Sequence, residues 1–267
     1  MPFTPAHAAV ALPFVRTPLL PAAIAVGAMA PDVPLFVRGT PVTYQLTHTN
    51  VVVSGLVALL LLVLWYGLLR PAVRELSPRW LAERLPAEWD RAGADAWHAV
   101  REPRPGARHG VWRENGVFAV LVAVSLVLGV LSHIAWDAFT HEGRWGLALF
   151  PALDELWGPL PGFKWLQYGS GVGGVAVLAI FGAVWISRRP RLAPSRVLPP
   201  AVRWSWWASL PVALIVAWLI GSAVYGADPE VTAHHLAYRV LPPACAVWGL
   251  LTAVLCAWIL ARRRALS

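Results

Sequence analysis

Hydrophobic positions in this chain gather into long uncharged runs rather than into amphipathic stripes. Runs near 20 residues recur at about 50–69, 116–131, 165–187, 204–227 and 240–261. As helices rising about 1.5 Å per residue, such runs match a hydrocarbon layer of about 30 Å, so each is read as a membrane crossing. The first 37 residues follow a different pattern. AHAAVALPF and LLPAAIAVGAMA are apolar segments of nine and twelve residues separated by VRTP. Pro18 and Pro21 suit a turn followed by a new helix start. Two short helices, each reaching part-way across, predict a re-entrant hairpin over 1–37, which would return Asp32 to the side of His7. The pattern therefore predicts an all-α polytopic membrane protein, one membrane domain over 1–267 with a short N-terminal helical hairpin and about five transmembrane helices.

Composition agrees. Hydrophobic residues make up 58% of the chain and charged residues only 13%, too few to coat a soluble protein of 267 residues. Cys245 and Cys256 both lie in the last apolar run, so neither a disulfide framework nor a thiolate metal site is expected. Ala28-Met29-Ala30 has the look of a signal-peptidase site. No basic segment precedes the apolar stretch, however, and Pro31 would follow the cut, so cleavage is not expected.

The formal net charge of +8 would suggest nucleic acid in a soluble protein, and its placement argues against that partner here. Residues 70–115 hold nine Arg, 188–203 hold five with no acid, and 262–264 is an Arg triplet, while 38–49, 137–164 and 225–241 are nearly free of basic residues. The positive-inside rule then predicts a plasma-membrane protein with a cytoplasmic C-terminus and with His48 and the 137–164 loop facing outward. Within 70–115, Trp89, Ala92, Ala96, Trp97 and Val100 recur at helical spacing, which predicts a cytoplasmic loop carrying an interfacial helix at an anionic leaflet.

Polar residues at the ends of the apolar segments need an explanation. The run GVFAVLVAVSLVLGVL is followed by SHIAWDAFTHEG, so His133, Asp137 and His141 are spaced by fours on one helix face. His7 in PFTPAH, Asp32 in MAPDVP and His48 in LTHTN join them on the predicted outer side. Singly, His7 and His48 read as helix-end residues and Asp32 as a turn former. Together, imidazoles and carboxylates at membrane depth form an ordinary ligand set for zinc, manganese or iron, and ionisable residues there usually mark function. His7, Asp32, His48, His133 and Asp137 are the expected ligands of a divalent metal, with Zn²⁺ the expected ion. His133 and His141 are about 12 Å apart along a regular helix, too far for one ion. His141 is therefore a ligand only if the helix end folds it back or a second metal is bound, and otherwise an acid–base group. Glu142, Asp154 and Glu155 are candidates for a general base or for support of the ligands. His234 and His235, with Asp228 and Glu230, read as surface residues of the last outer loop.

MPFTPAHAAVALP, GAMAPDVP, LTHTN, and SHIAWDAFTHEGRWG followed by GFKWLQYG closely resemble, over roughly 1–260, a family of bacterial multi-pass membrane proteins, the domain-of-unknown-function family 4184. The resemblance implies the fold and supplies no activity. Arg144, Lys164, Gln167 and Tyr168 belong to that family's series and would suit the binding of an anionic head group. More distantly, the order His…Pro-Asp…Thr-His…His-x-x-x-Asp is similar to an inner-membrane family of metal-dependent hydrolases. Carried over, it falls on His7, Pro31-Asp32, Thr47-His48, His133 and Asp137. The further His-Arg-Gly step common in that family is lacking here. The expected function is a metal-dependent hydrolase of a lipid or lipid-linked ester or phosphoester, with His141 and Glu142 as proton-transfer groups. The alternative is a non-catalytic metal- or lipid-binding membrane protein, and a transporter using the histidines as a relay comes third.

Overall fold

The computed structural model describes residues 4–101, 115–193, 196–226, 228 and 231–266. The remainder of the 70–115 segment and Glu230 lie outside the described residues. Among the described residues the regular structure is helical apart from one two-residue antiparallel pairing, Leu156–Trp157 with Leu160–Pro161. Five helices are long and apolar enough to cross a membrane: Val51–Leu76, Gly116–Thr140, Gly162–Ser187, Pro200–Tyr225 and Ala233–Leu266. The chain is a multi-pass helical membrane protein. All five helices outrun the uncharged stretches that predict them. The first passes through a π-turn at Trp65–Leu69 and carries Arg70, Arg74 and Glu75 in its last turns.

Contacts divide the chain into two compact units: residues 1–33, 42–63 and 100–188, and residues 34–41, 64–99 and 189–267. In the first unit a 3-10 helix, Thr4–Phe14, and an α-helix, Pro21–Met29, pack on each other and on the second span. Two glycines permit that approach, because a Cβ on Gly129 would sit 2.9 Å from Gly27 Cα. Small residues let membrane helices bring their backbones together where no hydrophobic effect drives them to pack. The Leu20 N–H donates to Ser125 Oγ at 3.0 Å, which fixes the register of this crossing. The short helix Tyr44–Thr49 follows, started by Thr43, whose hydroxyl accepts from Leu46 N. Asn50 then starts the first span by accepting from the N–H groups of Val52 and Val53, both at 3.1 Å.

In the second unit Arg74 gathers the segment that follows the first span. Its guanidinium donates to the carbonyls of Ala82, Leu85 and Pro86 and pairs with Asp90 at 2.8 Å. The helix expected around Trp89–Val100 forms only over Gly93–Arg101. Trp89 belongs to a separate 3-10 turn, Ala87–Asp90, because Arg91 is extended (φ −70°, ψ 133°) and interrupts the helical path. Trp97 packs against Tyr66, and Trp89 against Trp65.

Candidate metal centre

Four segments of the first unit carry the buried ionisable side chains to one place. Thr4–Phe14 brings His7, the turn Ala30–Asp32 brings Asp32, Tyr44–Thr49 brings His48, and the second span brings His133 and Asp137 one helical turn apart. Thr47 fastens two of these segments, since its hydroxyl donates to Pro31 O at 2.7 Å and its carbonyl accepts from Ser54 Oγ. Each connection is local chemistry at an apolar segment's end, where short polar side chains satisfy backbone groups that the helices leave free.

The atoms that face one another are metal-ligand atoms. His133 Nε2 lies 3.4 Å from Asp137 Oδ2 and 3.7 Å from Asp32 Oδ1. His48 Nε2 lies 3.5 Å from Asp137 Oδ2, and His7 Nε2 3.8 Å from Asp137 Oδ1. One donor atom from each of Asp32, His48, His133 and Asp137 lies within 4.8 Å of all the others. Two ligands each about 2.1 Å from a tetrahedral zinc ion are themselves roughly 3.4 Å apart, so these separations are of ligand–ligand size. His7 joins through its ring, stacked on His133 at 4.2 Å between centroids.

The hydrogen bonds around the cluster orient those atoms. His133 Nδ1 is 2.7 Å from Ala28 O, and His48 Nδ1 is 2.8 Å from Tyr44 O. A carbonyl only accepts, so both rings carry their proton on Nδ1 and turn a bare Nε2 inward, as carbonyl-buttressed metal-ligating histidines do. Thr4 donates to Asp32 Oδ2 at 2.6 Å, and the Tyr44 hydroxyl reaches Asp137 Oδ2 at 3.5 Å. Burial, with the Asp137 charge second, raises the Tyr44 hydroxyl above its ordinary range, so it stays a donor.

After these bonds are made, His7 Nε2, Asp32 Oδ1, His48 Nε2, His133 Nε2 and Asp137 Oδ1 remain buried with no hydrogen-bond partner among the described residues. Five such atoms in a low-dielectric interior are costly, and two unpaired carboxylates are costlier. A single proton on one imidazole would serve one pair and leave the others bare. A dication within the Asp32–His48–His133–Asp137 group serves four of the five and offsets both carboxylate charges. The buried Asp32–His48–His133–Asp137 set, with His7 beside it, therefore fits a divalent metal ion.

The other expected residues divide. The second span ends at Thr140, and Gly143, at φ +69°, turns the chain back. That turn leaves His141 Nδ1 3.5 Å from Asp137 Oδ1, beside the cluster but outside the four-residue ligand group. Gln167 is buried, with its Nε2 3.1 Å from His141 Nε2, while Lys164 Nζ donates to Gln167 Oε1 at 3.1 Å. The Lys164 ammonium needs the amide oxygen, so the amide N–H₂ faces His141. The imidazole then accepts at Nε2 and carries its proton on Nδ1, where the Asp137 main-chain O at 3.3 Å is the acceptor. Burial also lowers the His141 pKa and favours this neutral form.

Arg144 lies over the Tyr44 ring at 5.9 Å and shares an open cavity of about 610 Å³ with Asp154 and Glu155. Glu142, Asp154, Glu155 and Tyr168 are exposed and stand apart from the bare ligand atoms. His234 and His235 are exposed in the second unit. Sequence reasoning missed Tyr44, although its position four residues before His48 on one short helix was the available signal. Nothing in the sequence points to the Ala28 carbonyl. No curated protein and no solved structure matches the chain. A family model described as a domain of unknown function, DUF4184, matches residues 1–262, and the chain belongs to that family.

Proposed function

We propose that this protein is a membrane-embedded, metal-dependent hydrolase that cleaves an ester or phosphoester bond in a lipid or lipid-linked substrate. The observation that carries the reading is the set of five buried, partnerless ligand atoms contributed by four chain segments. His7, Asp32, His48, His133 and Asp137 would hold the ion, and Zn²⁺ suits three imidazoles with two carboxylates. A bound zinc ion supplies Lewis acidity toward the scissile group and an acidified water.

The chain's own residues do the rest. Ala28 and Tyr44 carbonyls keep the His133 and His48 rings turned inward. His141, held at Nε2 by Gln167 and at Nδ1 by the Asp137 main-chain O, stands beside the cluster and is the group proposed to pass a proton as water adds and the alcohol leaves. Arg144, near Tyr44, is the cation available to a head group. Arg-rich segments at 188–203 and 262–264 support a cytoplasmic C-terminus in the plasma membrane, with the cluster toward the outer face. The distant likeness to metal-dependent hydrolases, in the order His…Pro-Asp…Thr-His…His-x-x-x-Asp, points the same way.

The exposure of Glu142, Asp154 and Glu155 favours a second reading, a metal-binding membrane protein without catalysis. Elemental analysis of detergent-purified protein comes first. Stoichiometric divalent metal in wild type and none in His133→Ala is the expected result, and equal blank levels in both would end the metal reading. With metal present, turnover of lipid esters or phosphoesters supports the hydrolase. Their survival in the wild-type incubation gives the second reading the lead.

A further inference from the structure

A cavity of about 450 Å³ opens beside the cluster, lined by His7, Val10, Trp136, Ser170, Gly173 and Gly174 among others. Its volume is in the range of small-molecule sites, about 300–1,000 Å³. The walls are apolar in effect, because both serine hydroxyls are engaged. Ser132 donates to Gly129 O at 2.7 Å, while Ser170 accepts from Trp136 Nε1 at 3.0 Å and lies 3.3 Å from Gln167 O. His7 also lines the cavity, on a side chain only 6% exposed whose buried Nε2 is turned to Asp137 Oδ1 at 3.8 Å. The third span lines the cavity through Ser170, Gly173 and Gly174, and the neighbouring Val172 is 74% and Val175 40% exposed. A membrane-spanning surface of that kind meets hydrocarbon, not water.

We infer that this cavity is a lateral entry groove that takes one hydrocarbon chain of a lipid from the bilayer, with the lipid's polar end at His7. The inference rests on the lipid-hydrolase reading for what happens at that end, and on the cavity alone for the chain. A soluble substrate would find no hydrogen-bonding partner along these walls. A hydrocarbon chain needs none, and it passes from membrane to groove without desolvation. Trp136, held by Ser170, forms one side, and Gly173 leaves open space where a side chain would stand.

Gly173 gives the test, since nothing lies within 4 Å of where its Cβ would stand. Gly173→Leu fills the groove without displacing a ligand, and Gly173→Ala fills it in part while favouring the helix. Gly182→Leu, on the same span and with the same open space, is the control. Each variant is placed in nanodiscs containing phosphatidylglycerol whose palmitoyl chain ends in a diazirine. It is then illuminated and mapped by peptide mass spectrometry, with metal content and thermal unfolding measured on the same preparation. Labelling should concentrate on peptides containing Val10, Trp136 and Ser170–Gly174. It should fall roughly tenfold in Gly173→Leu, less in Gly173→Ala, and not in Gly182→Leu. Label spread evenly over the spans, or indifferent to Gly173→Leu, overturns the groove even if metal is present. Concentrated label in protein that holds no metal supports the groove and removes the hydrolase reading.

Discussion

Two buried acidic sites in this molecule solve the same problem in opposite ways. In the second unit Glu75 is fully buried and fully answered. Its oxygens accept from the N–H groups of Leu198 at 2.8 Å and Val197 at 3.0 Å, and Arg263 and Arg203 stand at 3.3 and 3.6 Å. Arg263 in turn donates to Pro71 O at 2.9 Å, so one carboxylate ties the end of the first span to the last helix and to the 197–198 segment. In the first unit Asp32, His133 and Asp137 are as deeply buried, yet their inward atoms face one another and the equally partnerless Nε2 atoms of His7 and His48. Both sites carry charge at the end of a span, so burial does not distinguish them. The difference is satisfaction, because a closed hydrogen-bond shell holds a fold together while a converging open one calls for a further partner.

The contrast breaks most sharply under metal removal. His133→Ala should lower metal affinity by more than the roughly 10–100-fold that the loss of a supporting partner costs. It should also abolish any effect of chelator on the unfolding temperature. Glu75→Ala should keep wild-type metal content per folded molecule and the full chelator effect. His133→Leu goes further. It removes the bare Nε2 together with the Nδ1 bond to Ala28 O, so it should be destabilised relative to chelator-stripped wild type by no more than the roughly 1–3 kcal/mol that orphaning one buried carbonyl costs. A larger loss would mean that Nε2 too has its partner within the protein.

Glu75→Ala itself is expected to cost about 3 kcal/mol, the usual penalty for orphaning one side of a buried ion pair. The loss should appear equally with and without chelator in urea or thermal unfolding. A Glu75→Ala protein as stable as wild type would reduce this network to incidental contacts. A smaller loss is expected where the short helices cross the second span. Gly129→Val forces a side chain against the Gly27 backbone and should cost about 1–3 kcal/mol. Because that crossing carries Ala28 and Asp32 to His133, metal should weaken along with stability. Unchanged metal affinity in Gly129→Val would separate the cluster from the crossing.

The spans were legible because uncharged runs of membrane length have few alternative fates. Their ends were not, since Arg70, Arg74 and Glu75 read as loop and are in fact helical, their charges answered by partners up to 188 residues away. Within the cluster, His133 and Asp137 were legible as an i,i+4 pair on the most apolar helix. His7, Asp32 and His48 were legible only as a recurring polar residue at segment ends. Lys164 and Gln167 carried no such signal. The sequence reading takes them as contacts for a head group; in the structure Lys164 donates to Gln167, whose amide reaches His141, a pairing that depends on how the third span packs against the second. Glu142 had the right neighbour in sequence, but the turn at Gly143 leaves it exposed while His141 stays inward.

The finest division concerns the two hydroxyls that touch the carboxylates. Thr4 donates to Asp32 at 2.6 Å, a strong bond to an atom whose partner oxygen is bare. Tyr44 reaches Asp137 at 3.5 Å, the limit of hydrogen bonding, across a ring that also stacks on His48 at 3.8 Å. Thr4→Val should therefore cost roughly 10–100-fold in metal affinity, as loss of an orienting partner does. Tyr44→Phe, which keeps the ring and removes only the distant hydroxyl, should cost about threefold at most. Competition with a chelator of known affinity ranks the two directly. The reverse order would mean that the ion draws Asp137 toward Tyr44 on binding, and that the hydroxyl, rather than the threonine, completes the support of the site.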